Sequence, residues 1–216
     1  AYLTKLYDYM KSDYLVVTNL FRDQLDRYGE LNTTAGFIKN AIGKNPDLKL
    51  ILNADDPLVA TFDRTKYAVY YGHYYCPKCG YKRHECDYPA NVKVFNEYSV
   101  LTVNNKGIEY EFKINLAGLY NAYNALGAIA FAFEQGLNQT EIQKALDSYH
   151  AIFGRTEKRL INGNQTVIQL IKNPTGASEV LKTVDLNSNI VIAINDNYAD
   201  GRDISWLWDS DFEQLK

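Results

Sequence analysis

Two apolar runs, Tyr14 to Thr18 and Leu48 to Leu52, constrain this chain more than any other feature. Each ends in a polar cluster, and between them Gly36 to Ile42 has helical spacing. Buried strands that alternate with helices and end in polar residues form a parallel α/β sheet, which carries its site at the carboxyl ends of its strands. The polar clusters are therefore the first candidates. Asn19 and Asp23 lie in the loop Thr18 to Tyr28, whose side chains can reach magnesium or phosphate. Asn53, Asp55 and Asp56 follow the second strand as Asn53-Ala54-Asp55-Asp56-Pro57, which can touch a nucleotide and is also ordinary turn chemistry.

Ahead of the first run, Ala1 to Lys11 reads as the end of a helix. After Val69-Tyr70 the alternation breaks at Cys76-Pro77-Lys78-Cys79-Gly80. Two thiolates at C-x-x-C spacing with a following glycine can close a tight turn around tetrahedral zinc, and they make half of a structural site; His73, His84 and Cys86 are the nearby candidates for the other half. Beyond the knuckle, Val92 to Phe95, Tyr98 to Val103 and Ile108 to Ile114 alternate as antiparallel strands, with a hairpin turn at Asn104 to Gly107. Gly118 to Gln135 is a strongly apolar helix, and Thr140 to Tyr149 is a second with Thr140 as N-cap. Phe153-Gly154-Arg155 ends the helical pattern and marks a domain boundary. Thr166 to Ile171, Ala177 to Thr183 and Ile190 to Ile194 then read as strand, helix and strand. Lys172-Asn173-Pro174-Thr175-Gly176 is the turn inside that unit.

The last run empties into Asn195-Asp196-Asn197-Tyr198-Ala199-Asp200-Gly201-Arg202-Asp203. Carboxylates in such a loop can hold a cation, orient a histidine or cap the helix that begins near Ile204, a role open to Asp203. Asp196, at the strand's carboxyl end, is placed to set the tautomer of an imidazole from another subunit.

Composition narrows the classes. With 46% hydrophobic and 23% charged residues over 216 positions and a net charge of -3, the chain can bury one large core or two smaller ones. No run approaches the roughly 18 to 20 apolar residues that span a bilayer, and the first residues lack a signal-peptide pattern, so the expected location is the cytoplasm. Three cysteines are too few for a disulfide framework in a chain of this length. Lys78, Lys82 and Arg83 are the one basic cluster, a solvated face rather than a nucleic-acid footprint.

Taken together and in order, TNLFRDQLDRYGEL (18–31), NADDP (53–57), CPKCGYKR (76–83), GLYNAYNA (118–125), FGRTE (153–157), KNPTG (172–176) and NDNYADGRDISWLW (195–208) resemble the Mur ligases of cell-wall peptide synthesis. The knuckle and the NDNYADGRD loop resemble the amidating branch of that family more than its amino-acid-adding members. The resemblance implies a central parallel-sheet domain over 1–153 with a zinc-ribbon insertion around 71–90 and antiparallel strands. Part of a Rossmann-like C-terminal α/β domain over 154–216 would follow. It implies a synthetase subunit of a glutamine amidotransferase, which uses ATP and Mg2+ to activate the α-carboxyl of D-glutamate in the stem peptide of lipid II, a membrane-anchored substrate, at the inner face of the membrane. A GatD-type class I glutaminase partner would supply ammonia, and Asp196 or Asp200 would complete its triad. Asn19, Asp23, Asn53, Asp55, Asp56, Asn121, Asn124, Arg155 and Lys172 would line the nucleotide and substrate sites, with Glu157 beside Arg155 in the segment between domains. Cys76 and Cys79 would be one of two knuckles holding Zn2+, the other expected at 70–73, leaving His84 and Cys86 as bystanders.

The chain departs from the family in three places. It has no G-x-x-G-K-[ST] phosphate loop, so the resemblance implies one upstream of Ala1, and further C-terminal residues after Lys216. Gln24 stands where amino-acid-adding members carry a metal-binding histidine. Lys39 lies near the lysine that some of them carbamylate; an exposed helix lysine is the plainer reading. Two other functions fit parts of the pattern: a Mur ligase that adds an amino acid, and a zinc-ribbon interaction module without activity.

Overall fold

The structure, a computed structural model, describes residues 2–20, 30–62, 68–72, 85–149, 155–195, 197 and 204–215, with main chain alone at 68–72, 155, 156, 175 and 214. Two compact units emerge: Ala1–Leu20 with Asn32–Tyr149, and His150–Lys216 with Phe21–Leu31.

The first unit is built on a six-stranded sheet whose strands lie in sequence order. β1 (Tyr14–Val17), β2 (Lys49–Asn53), β3 (Ala68–Gly72) and β4 (Tyr88–Val94) run parallel, with Val17 opposite Leu52 and Asn53 opposite Tyr71. β5 (Ser99–Asn105) and β6 (Ile108–Ile114) then turn antiparallel. β2 shows why its run is continuously apolar. Leu50 and Leu52 pack on one face with Val17, Ala35, Ile42, Val59 and Phe62, while Ile51 faces the other with Leu101, Phe112, Leu126 and Ile129. A strand covered on both sides has no solvent face for a polar residue. β5 has one, and reads accordingly: Ser99, Leu101 and Val103 are buried, and the residues between them are half-buried.

The faces are covered by helices. α1 (Tyr2–Leu6) and α2 (Leu31–Gly43) carry residues packed on the first face, and α3 (Leu119–Glu134) and α4 (Gln139–Ser148) on the second. On the second face the Tyr88 hydroxyl donates to Glu134 Oε1 at 2.7 Å, and burial, then that bond and its charge, hold the phenol well above its ordinary range. The hairpin between β5 and β6 turns on Lys106 (φ 53°) and Gly107 (φ 87°), both left-handed, as a two-residue turn of this hand requires. α4 starts two residues earlier than Thr140 would place its cap. Asn138 is the N-cap, accepting from the Glu141 amide at 3.1 Å, and Glu141 returns a bond to the Asn138 amide, so the pair forms a capping box that a threonine at 140 has no geometry to make.

The outer edge of β6 is occupied by side chains. Gln143 accepts from the Lys113 amide at 3.0 Å and donates to its carbonyl at 2.9 Å, and Gln139 donates to the Glu111 carbonyl at 2.9 Å.

The second unit differs from its sequence reading. β7 (Arg155–Ile161) and β8 (Asn164–Gln169) form an antiparallel hairpin turning on Asn162 (φ 49°) and Gly163 (φ 81°), followed by α5 (Pro174–Leu181). The expected strand Ile190 to Ile194 does not form. No neighbour offers it a ladder among the described residues, and Val191 is 89% exposed. An apolar run becomes a strand only when another strand meets its backbone donors and acceptors. The described residues also contain no Rossmann-like parallel sheet in this unit. No helix of the described residues is long and apolar enough to cross a membrane.

Candidate functional site

At the carboxyl end of β2 the chain turns through Asn53 to Pro57, and each polar side chain takes a separate task. Asn53 is 6% exposed, and its Oδ1 accepts from the Asp55 amide at 3.0 Å, closing a local turn. Asp56 uses both carboxylate oxygens on backbone: Oδ1 accepts from the Leu58 and Val59 amides at 2.9 Å each, starting the 3-10 turn Val59–Phe62, and Oδ2 accepts from the Leu20 amide at 2.9 Å. One side chain thus joins the loop after β1 to the loop after β2. Asn19, half-buried, is held next to that joint.

Asp55 points elsewhere. Its Oδ2 accepts from the Tyr123 hydroxyl at 2.8 Å, across 68 residues of sequence. Tyr123 stands on α3, whose first residue follows Gly118 at φ 97° and ψ 139°. That conformation is nearly closed to side chains, and a Cβ at 118 would lie 3.1 Å from the Tyr120 ring. Glycine therefore lets α3 begin close against its own first turn. Asn121, half-buried, donates to the Ala117 carbonyl at 2.6 Å, and Asn124 is exposed. The carboxyl end of β2 and the first turns of α3 so converge on Asn53, Asp55 and Tyr123, a polar cluster at the end of an apolar strand. Sequence reasoning missed Tyr123, which lies in the GLYNAYNA segment between the two asparagines it singled out; a tyrosine hydroxyl finds its acceptor only through tertiary structure.

Lys172 is exposed, and Asn173 beside it caps α5 by accepting from the Gly176 amide at 2.8 Å, with Pro174 at the first helical position. Glu157 pairs with Arg159 on its own strand at 2.6 Å. Asn195 accepts from the Asn197 amide at 2.9 Å in a local turn, and the 3-10 helix Ser205–Asp209 has Ile204 at its cap, with no side-chain capping bond. Lys39 is exposed, 5.7 Å from the Phe62 ring centroid. The second unit also holds a cavity of about 770 Å³ between β8, α5 and residues 185–193; none of the candidate residues lines it. Asp23, Gln24, His73, Cys76, Cys79, His84, Asp196, Asp200, Asp203 and the Arg155 side chain lie outside what the structure describes. Among the described residues there is no group of three or more metal-ligating side chains, and Cys86 is half-buried against the first core cluster, in no disulfide.

Comparison with known proteins follows the same division of the chain. Residues 2–132 match the Mur ligase middle domain, and residues 170–216 match the MurT ligase C-terminal region. The MurT subunit of lipid II isoglutaminyl synthase (glutamine-hydrolyzing) from Streptococcus pneumoniae is 33% identical over 100% of this chain, and its counterpart from Staphylococcus aureus strain COL is 34% identical over 93% of it. The chain spans 57% and 54% of those two proteins. Among solved structures, a pseudomurein peptide ligase type C from Methanothermus fervidus superposes with a TM-score of 0.65 at 26% identity, covering 82% of this chain and 42% of that one. A parallel sheet continued by antiparallel strands, matched over more than half its length by one family and over its last residues by one branch of it, identifies this chain as a member of the Mur ligase family with the C-terminal segment of MurT ligases.

Proposed function

We propose that this chain is part of the synthetase subunit of a glutamine-hydrolysing lipid II isoglutaminyl synthase, with central-domain sequence over 1–153 and sequence of a Rossmann-like C-terminal domain over 154–216. The observation that carries the reading is the middle-domain match followed, in one chain, by the MurT C-terminal match. In this reading ATP with Mg2+ phosphorylates the α-carboxyl of the D-glutamate in the lipid II stem peptide. Ammonia attacks the acyl phosphate, the new C–N bond replaces the C–O bond, and phosphate leaves. The polar carboxyl end of β2 with the start of α3, Asn53, Asp55 and Asn121 among its residues, lines the nucleotide site, with Asn19 and Asn124 as further candidates and Asp56 holding the loops there; Asp23, Arg155 and Lys172 are separate candidates for nucleotide or substrate contacts in the second unit. A class I glutaminase partner of the GatD type releases the ammonia from glutamine, and Asp196, or else Asp200, completes its triad by orienting the partner's histidine. The work is done in the cytoplasm at the membrane face, where lipid II is anchored.

The test is reconstitution of the full-length protein with its glutaminase on lipid II. Amide formation that requires both ATP and glutamine is expected, and Asp196→Asn should abolish glutamine hydrolysis by the complex. Hydrolysis at the parent rate removes Asp196 from the triad; a new peptide bond from a free amino acid, with no glutaminase needed, replaces the reading with that of an amino-acid-adding ligase. Cys76 and Cys79 are read as two ligands of a structural zinc. Metal analysis of the full-length protein should show zinc lost in Cys76→Ser and kept in Cys86→Ser.

A further inference from the structure

We infer that Tyr123 is a positioning residue for the nucleotide site, acting through the carboxylate of Asp55; the inference rests on reading the carboxyl end of β2 as that site. The Tyr123 ring packs against the second core cluster, alongside Leu126 and Ile129 on the same helix, so its direction is set by packing. Its hydroxyl meets Asp55 Oδ2 at 2.8 Å. Asp55 itself stands in a turn held at both ends: the Asn53 side chain takes its amide, and Asp56 ties the next residues to the loop after β1. Backbone and one carboxylate oxygen are both fixed before any ligand arrives. Core filling alone would be served by phenylalanine, so the hydroxyl is the informative atom. A hydrogen bond to a charged acceptor is worth enough to hold one rotamer of a short side chain, and a group that is already oriented loses less freedom when it binds. The cluster therefore has a built-in alignment between β2 and α3: the helix sets the angle at which the carboxylate after the strand is presented.

The experiment measures ATP affinity, kcat and melting temperature in the full-length protein with its glutaminase, for Tyr123→Phe, Asp55→Asn and the double variant. Tyr123→Phe is expected to weaken ATP binding about tenfold, the lower end of what a bond to a charged group is worth. kcat at saturating ATP should stay close to the parent, and the melting temperature should fall by no more than the few degrees that one lost hydrogen bond costs. The double variant should be no weaker than Asp55→Asn alone, because the hydroxyl acts through that carboxylate. If Asp55→Asn weakens ATP binding and Tyr123→Phe does not, the positioning role is overturned while the nucleotide site stands. If Asp55→Asn leaves ATP affinity unchanged, the nucleotide-site reading itself falls. A melting-temperature loss well beyond that of one hydrogen bond, or a Tyr123→Phe defect that adds in full to the Asp55→Asn defect, assigns Tyr123 to packing and overturns the inference.

Discussion

Removing the Asp56 carboxylate is expected to separate the loops after β1 and β2. Three backbone amides, those of Leu20, Leu58 and Val59, donate to it at 2.9 Å each. A hydrogen bond to a charged acceptor contributes about 1.5 kcal/mol or more net, which would give about 4.5 kcal/mol for three independent bonds. Asp56 is only half-buried, so water replaces part of what is lost, and Asp56→Ala should cost about 3 kcal/mol. At about 2–4 °C per kcal/mol for a protein of this size, the melting temperature should fall by about 6 to 12 °C. Hydrogen–deuterium exchange gives the sharper assay. Peptides covering Leu20 and residues 58–59 should lose protection together, although they lie far apart in sequence. Asp56→Asn keeps one acceptor oxygen, which can serve Leu58 and Val59, and should release Leu20 selectively. A melting temperature within about 2 °C of the parent, with exchange unchanged at all three amides, would refute the claim that this side chain joins the two loops.

Two further outcomes follow from the same geometry. Gly118→Ala should destabilise the first unit by about 1–3 kcal/mol, because φ 97° and ψ 139° strain any side chain and the new Cβ meets the Tyr120 ring; circular dichroism melting checks it. Tyr88→Phe should cost about 1.5 kcal/mol at neutral pH through the lost bond to Glu134, measured by chemical denaturation. That difference should shrink above about pH 10. The unfolded phenol then releases its proton while the folded one, held above its ordinary range by burial and Glu134, keeps it, so the parent's stability falls with rising pH and the variant's does not follow. A difference that stays constant to pH 11 would contradict the raised titration.

What could be read before the structure depended on how local the cause was. The continuous apolar run of β2 and the alternation of β5 announce two-sided and one-sided burial directly, and the turn at Asn104 to Gly107 carries its own conformational demand. α4 was legible but misplaced at its start, although Asn138 and Glu141 stand at capping-box spacing. β7 is masked in the sequence by the charges of RTEKRLI, yet Asn162-Gly163 between it and β8 is the strongest short hairpin signal a sequence offers. Ile190 to Ile194 misleads the other way: it has strand composition, but among the described residues no strand pairs with it. At the candidate site, Asn53, Asp55 and Asp56 could be picked out as a cluster, and their division of labour could not. Asp56 bonds to an amide 36 residues away and Asp55 to a hydroxyl 68 residues away, so only the fold decides which carboxylate is structural clamp and which faces the helix.

The Gln143 side chain carries an amide, the same chemical group as a peptide unit, and it presents that group to Lys113 as a neighbouring strand would. The β6 border of the sheet is in effect terminated by a one-residue imitation of a seventh strand. A segment approaching from that side has to evict Gln143 before it finds a free donor and acceptor at Lys113, which guards against edge-to-edge self-association.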